Sequence, residues 1–218
     1  MTTAPPLLPG LAGLDWDDLA AVSAACGAAF DTLTADRWAV LAGLLEGVPD
    51  DPHLAGMCES YDFMDKVVLH DDPEHGYRIR VHCFLPGYFD RPHNHRWSFG
   101  SMILTGAYRH VQYGGDSGFE TATAGTLQPL SVRTERAGDW YVLHHTAVHA
   151  VTAEAGTMSL VLRGPAAKDR FRIIDAPSAT SFHVRGAAEE SPAERAAKRM
   201  TSARLTTTLG GILAARPH

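Results

Sequence analysis

Gly87-Tyr88-Phe89-Asp90-Arg91-Pro92-His93-Asn94-His95 is the stretch from which the rest of this chain is read. In an extended segment successive side chains alternate sides, so His93 and His95 project to the same face. Two neutral imidazoles converging on one point make a seat for a metal ion. Downstream, Gly138-Asp139-Trp140-Tyr141-Val142-Leu143-His144-His145-Thr146-Ala147-Val148-His149 reads as a second glycine-led turn and strand, with His149 available as a third ligand. Three such nitrogens would hold a divalent ion and leave positions open for chemistry.

The flanking sequence is strand-rich. From Lys66 onward, short β-prone runs such as Lys66–His70, Tyr77–Phe84, Ser101–Leu104 and Thr157–Arg163 alternate with turn clusters at 71–76, 85–87, 114–118 and 154–156. Many short strands at this spacing predict a sandwich or barrel. Before them, residues 13–47 carry apolar residues at helical spacing. Leu14, Leu19, Val22 and Phe30 form one stretch and Trp38, Leu41 and Leu45 the next, predicting two helices with Thr34 as N-cap of the second. Past Asp175 the chain turns polar and small, and 176–190 reads as a linker. Ser191-Pro192-Ala193-Glu194 then combines an N-cap, a first-turn proline and a capping-box glutamate, so a C-terminal helix follows. Its basic stripe, Arg195, Lys198, Arg199 and Arg204, reads as a solvated face.

A chain of 218 residues with 45% hydrophobic content can bury one sizeable core. One structural domain is expected, with residues 1–58 as a helical extension, 59–176 as the β unit and 177–218 as linker and helix. The net charge of −6, from 19 basic and 25 acidic residues, argues against nucleic acid or an anionic membrane as partner. A small-molecule substrate fits better. The stretch Met1–Pro6 lacks the basic start and apolar run of a signal peptide, and Cys26, Cys58 and Cys83 suit reduced thiols, so a cytoplasmic location is expected.

A glycine-led His-x-His on one strand and a later glycine-led segment ending in histidine resemble the two motifs of the cupin superfamily. Gly87 to His95 keeps the opening spacing of the first motif, and Gly138 and His149 stand at the expected separation in the second. His144 and Thr146 stand where the family usually has proline and glycine. The resemblance, over about residues 60–175, implies a cupin-type antiparallel β-barrel, a double-stranded β-helix, with helical N- and C-terminal extensions. His144 and His145 compete for the third-ligand place, and the position of His149 in the pattern favours it.

Many cupins carry a glutamate ligand four to five residues after His95, where this chain has Phe99 and Gly100. A neutral set of His93, His95 and His149 is thereby implied, an arrangement similar to that of thiol dioxygenases and related iron enzymes. Without the carboxylate, the metal is more Lewis-acidic and favours anionic donors. The resemblance implies Fe(2+), with Zn(2+) or another divalent metal as the alternative, and dioxygen as co-substrate. Mammalian-type thiol dioxygenases carry a cysteine cross-linked to tyrosine at the vacated place, which Gly100 excludes. The run His93-Asn94-His95-Arg96-Trp97 also looks like that of cupin domains in hydrazine-forming enzymes. Homodimers are common in the superfamily.

Several further residues are site candidates. Arg163 ends an apolar run and could hold a substrate carboxylate or pair with a protein one. Arg78, Arg80 and His82 share a strand face that is either the barrel interior or its outside, which makes Arg80 a second anion-binding candidate. Trp97 and Phe99 continue the face of His95 and would wall the pocket. Tyr108, with His110 and Tyr113 nearby, could donate a proton, and His145 could face the pocket or lie on a loop. Arg96 is expected to point outward. Three functions remain open: an iron oxygenase for a small anionic or amino-acid-like substrate, a non-redox zinc cupin for isomerisation, lyase or N–N bond-forming chemistry, and a non-enzymatic binding cupin. No nucleophile elbow, phosphate-binding loop or dinucleotide fingerprint occurs.

Overall fold

A computed structural model describes residues 7–87, 91–175, 177–186 and 189–217 of this chain. The segments Met1–Pro6 and Tyr88–Asp90, on which readings above depend in part, lie outside the described residues. The strands are β1 (Glu59–Ser60), β2 (Met64–Asp72), β3 (Tyr77–Phe84), β4 (Phe99–Thr105), β5 (Ala107–Gly114), β6 (Ser131–Arg136), β7 (Trp140–Leu143), β8 (Val148–Ala153), β9 (Met158–Arg163), β10 (Arg170–Asp175) and β11 (Thr180–Arg185). The larger sheet runs β1-β2-β3-β9-β4-β7. Smaller pieces run β6-β5-β8 and β10-β11. All the pairings are antiparallel. His93 forms bridges to both His149 of β8 and Ile173 of β10, so it joins the two smaller pieces into one wall. The fold is thus mainly antiparallel β with helical extensions. Strand β11 lies within the stretch read as a linker, where Phe182 and Val184 pair opposite Ile173 and Phe171.

The period-2 alternation of β3 decides which side is which. Tyr77, Ile79 and Val81 are buried on the outer face, in a core with Val22, Cys26, Phe30 and Leu33 of helix α1 (Leu19–Gly47). Arg80 and His82 therefore face the opposite way, between the two walls. α1 is broken at Ala35–Trp38, where Asp36, Arg37 and Trp38 all have positive φ. A left-handed turn of non-glycine residues costs about 1–2 kcal/mol each. It is held by Trp38, Leu41 and Leu45, all buried, and by Arg216 Nε donating to the Arg37 carbonyl at 2.9 Å. Thr34 is not an N-cap: its hydroxyl donates back to the Phe30 carbonyl at 2.8 Å, inside the first helical segment.

Helix α2 (Pro52–Met57) precedes the sheet, and α3 (Pro192–Lys198) and α4 (Ser202–Ala214) follow it. Ser191 and Glu194 form the capping box read from the sequence. The basic stripe is not merely solvated. Lys198 pairs with Glu59 and Glu190 at 2.8 and 2.7 Å, and Arg204 Nε donates to Asp65 at 2.8 Å. Asp65 is almost fully buried and also accepts from Ser60 and Thr208, so its carboxylate docks α4 on β2. Among the described residues, no helix is long and apolar enough to cross a membrane.

Candidate metal centre

His93, His95 and His149 each bring a ring nitrogen within 4.8 Å of the others. The two motif glycines set this up: Gly87 and Gly138 have φ of +81° and +92°, a region that a side chain disfavours. The segment holding His93 and His95 is only partly a strand. Pro92 has no amide hydrogen, and regular pairing is confined to His93, whose N–H and C=O exchange 2.9 Å bonds with His149. The intervening Asn94 is nearly fully buried and supplies the missing polar links. It donates to Asp116 and accepts from the Arg172 amide at 2.8 Å. Both histidines thus still point the same way, toward His149.

Hydrogen bonding selects the tautomers. Nδ1 of His93 lies 2.8 Å from the Arg91 carbonyl, which only accepts, so Nδ1 carries the proton and the lone pair is on Nε2. Nδ1 of His149 lies 3.0 Å from Nε2 of His110, whose Nδ1 lies 3.2 Å from Glu135. Burial raises the Glu135 pKa and Arg133 at 2.9 Å opposes that shift; when the carboxylate is ionised, protons along this chain point outward and the lone pair of His149 is on Nε2. Nε2 atoms of His95 and His149 are 2.7 Å apart. Two metal–nitrogen bonds of 2.0–2.1 Å at a right angle would place them about 2.9 Å apart. The donor set therefore fits a divalent ion, which His93, His95 and His149 would hold. Burial pushes the pKa of His95 and His149 well below the usual imidazole range, reinforced by the facing rings. Neutral ligands suit a cation.

The three rings open on a cavity of about 220 Å³ between the sheets. Trp97, Phe99 and Phe171 form its aromatic wall, with Phe99 and Trp97 centred 4.7 and 5.0 Å from His95. Phe99 faces the cavity at the place of the missing carboxylate. Gly100 faces away, where a Cβ would lie 2.8 Å from Sγ of Cys26 on α1. Across the cavity from the imidazoles, Lys66, Arg80 and His82 line the larger sheet. Arg80 Nε and His82 Nε2 are buried without a hydrogen-bond partner. Burial pulls the Arg80 pKa down to about 10 and that of His82 well below its usual value. Glu59 and Asp71 offset part of that cost, and the unpaired Nε–H still favours an anion in the cavity.

Tyr108 lines the cavity with its hydroxyl 2.6 Å from that of Tyr141, and burial drives its pKa well above the usual phenol. It is held as a neutral donor or acceptor. Arg96 also reaches the cavity wall, its Nε donating to the Lys168 carbonyl at 3.2 Å. Arg163 is not among the cavity-lining residues: it donates to the Gly164 carbonyl at 2.8 Å, and its guanidinium lies 6.0 Å from the Trp97 ring. His145 likewise lies elsewhere, beside His144 and Asp17. Tyr141, Phe171 and Ile173 also line the cavity, a placement the sequence does not announce. The alternation Phe171-Arg172-Ile173 carried the signal, but nothing local says that β10 approaches the first motif.

No family model matches this chain, and no curated protein matches it. Solved structures do. KdgF from Halomonas sp. is 17% identical with a TM-score of 0.39, over 51% of this chain and 88% of that one. An RmlC-like cupin from Shewanella frigidimarina is 17% identical with a TM-score of 0.37, over 52% and 98%. The DMSP lyase DddQ from Ruegeria pomeroyi is 16% identical with a TM-score of 0.40, over 55% of each chain. Such likenesses cover about half of this chain and leave its chemistry to its own residues.

Proposed function

We propose that this chain is a metal-dependent enzyme of cupin type, holding Fe(2+) through His93, His95 and His149, that oxygenates a small anionic or amino-acid-like substrate. The observation that supports it is the juxtaposition of an all-imidazole donor set with a cavity on whose far wall Arg80 Nε and His82 Nε2 are buried without a hydrogen-bond partner. When bound, the metal supplies Lewis acidity and, as iron, one-electron chemistry toward dioxygen. The chain supplies the rest. Arg80, with Lys66 and His82, draws the substrate's anionic group into the cavity. Trp97, Phe99 and Phe171 exclude water, and the Tyr108–Tyr141 hydroxyl pair can pass a hydrogen bond to a substrate oxygen. A dioxygenase balance needs no added reductant, because the substrate gives up the four electrons and both oxygen atoms enter the product.

The test is metal analysis of protein prepared without oxygen, coupled to oxygen uptake with a panel of amino acids and thiols. One iron per chain at this site and substrate-dependent uptake support the proposal. Stoichiometric zinc without uptake transfers it to isomerase, lyase or N–N bond-forming chemistry at the same imidazoles. Loss of all cavity-site metal would leave only a binding protein.

A further inference from the structure

Outside the cavity a second set of ligand-type atoms converges. Asp17, in the turn before α1, meets His144 and His145 in the β7–β8 turn, and their ligand atoms also lie within 4.8 Å of one another. We infer that these three side chains form a second, outer site for a zinc-like divalent cation.

The spacing carries the inference. Nε2 of His144 and of His145 stand 3.2 and 3.5 Å from one oxygen, Oδ1 of Asp17. An imidazole donating to a carboxylate prefers about 2.7–2.9 Å. In a tetrahedral site with bonds of 2.0–2.1 Å, neighbouring ligand atoms are about 3.3–3.4 Å apart. Both contacts sit near that edge length. The rings lie close together, centroids 4.1 Å apart and tilted by 36°, and both Nε2 atoms face the same Asp17 oxygen. Nδ1 of His144 lies 2.8 Å from the Thr146 hydroxyl, which can donate or accept, and accepts from the Thr146 amide at 3.4 Å, so these contacts hold the ring with Nε2 toward Asp17. Nδ1 of His145 is buried without a partner, so the ring's polar outlet is the nitrogen facing Asp17. The Ser98 hydroxyl fixes the turn by accepting from the His145 amide at 3.1 Å. Asp17 is exposed, and water can complete the coordination.

An ion here ties the segment before α1 to the turn that leads into β8, the strand carrying His149. Its occupancy therefore restrains an inner ligand without touching the cavity. Protein stripped with chelator and reloaded with zinc, then dialysed, tests the site by metal content. The wild-type chain should retain two equivalents, Asp17→Asn and His144→Ala one each, and a His93→Ala/His149→Ala chain one. Cobalt in that last variant should show the intense visible absorption of a tetrahedral ion, abolished by adding Asp17→Asn. A single wild-type equivalent that disappears with His93→Ala and survives Asp17→Asn would overturn the outer site. A single equivalent with the reverse dependence upholds it and removes the inner one. Asp17 is a surface residue and His144 gives a second variant, so a folding defect in one leaves the result readable.

Discussion

Replacing Arg80 by methionine should make the empty protein more stable while weakening its hold on anions. Arg80 lies opposite Val68 and Val161 in the sheet, and among the described residues its guanidinium makes no ion pair. Its pKa falls from the ordinary 12.5 to about 10, chiefly through burial and then through the like charge of Arg78. At 1.36 kcal/mol per pKa unit, that fall represents about 3 kcal/mol of unfavourable surroundings for the cation. Arg80 retains some accessible surface bordering the cavity, and water there lowers the cost to about 1–2 kcal/mol. Methionine keeps a flexible apolar stem and carries no charge. For a chain of this length the change raises Tm by about 2–8 °C. Thermal unfolding at pH 7 without added anion reads the first effect, and calorimetric titration with succinate or cysteine reads the second, expected as a loss of tenfold or more. A variant destabilised by more than about 2 kcal/mol with unchanged anion affinity would show that Arg80 is a structural cation, and the reasoning about the basic wall would fail.

His110→Phe should weaken metal retention by about 10–100-fold in a chelator competition, because the ring that orients His149 and its link to Glu135 are lost. Unchanged affinity would remove His110 from the site. Gly100→Ala should cost about 1–3 kcal/mol in denaturant unfolding, since the new methyl meets Cys26, and Gly100→Ala/Cys26→Ala should recover part of it. Acid should destabilise the metal-free protein early. Burial holds His82, His95, His110 and His149 below the free imidazole value, His110 at about 4. The unfolded chain therefore takes up protons first as pH falls below about 6.5, and stability declines from there toward pH 4 by as much as about 1.4 kcal/mol per pH unit per histidine. A flat profile between pH 7 and 5 would contradict this assignment.

Residues 93–95 and 138–149 made the convergence of three imidazoles legible, because a period of two and a glycine-led turn are local properties. The two faces of β3 were legible only as a pair of alternatives. Tyr77-Ile79-Val81 and Arg78-Arg80-His82 each make a consistent face, and the packing of α1 on the first decides that the second lines the cavity. Arg163 shows the limit of composition: an arginine after Leu160-Val161-Leu162 looks like an anion anchor, and only the structure shows that its guanidinium donates to the Gly164 carbonyl while its Nε is buried without a hydrogen-bond partner. His145 shares parity with His149, but the turn between them interrupts the alternation and sends the ring to Asp17. Asp17 itself, remote in sequence, could not be foreseen. The same holds for Glu135 behind His110 and for Phe171 beside His93, contacts made only by strand pairing between distant segments.

The central claim is that His93, His95 and His149 bind one metal ion inside the cavity. It is tested most directly by metal content per chain after anaerobic reconstitution with ferrous iron in an Asp17→Asn background, which removes the outer cluster, compared with the same chain carrying His149→Ala. One equivalent in the first and none in the second is the expected result. Equal metal in both, or none in either while the chain remains folded, would contradict it.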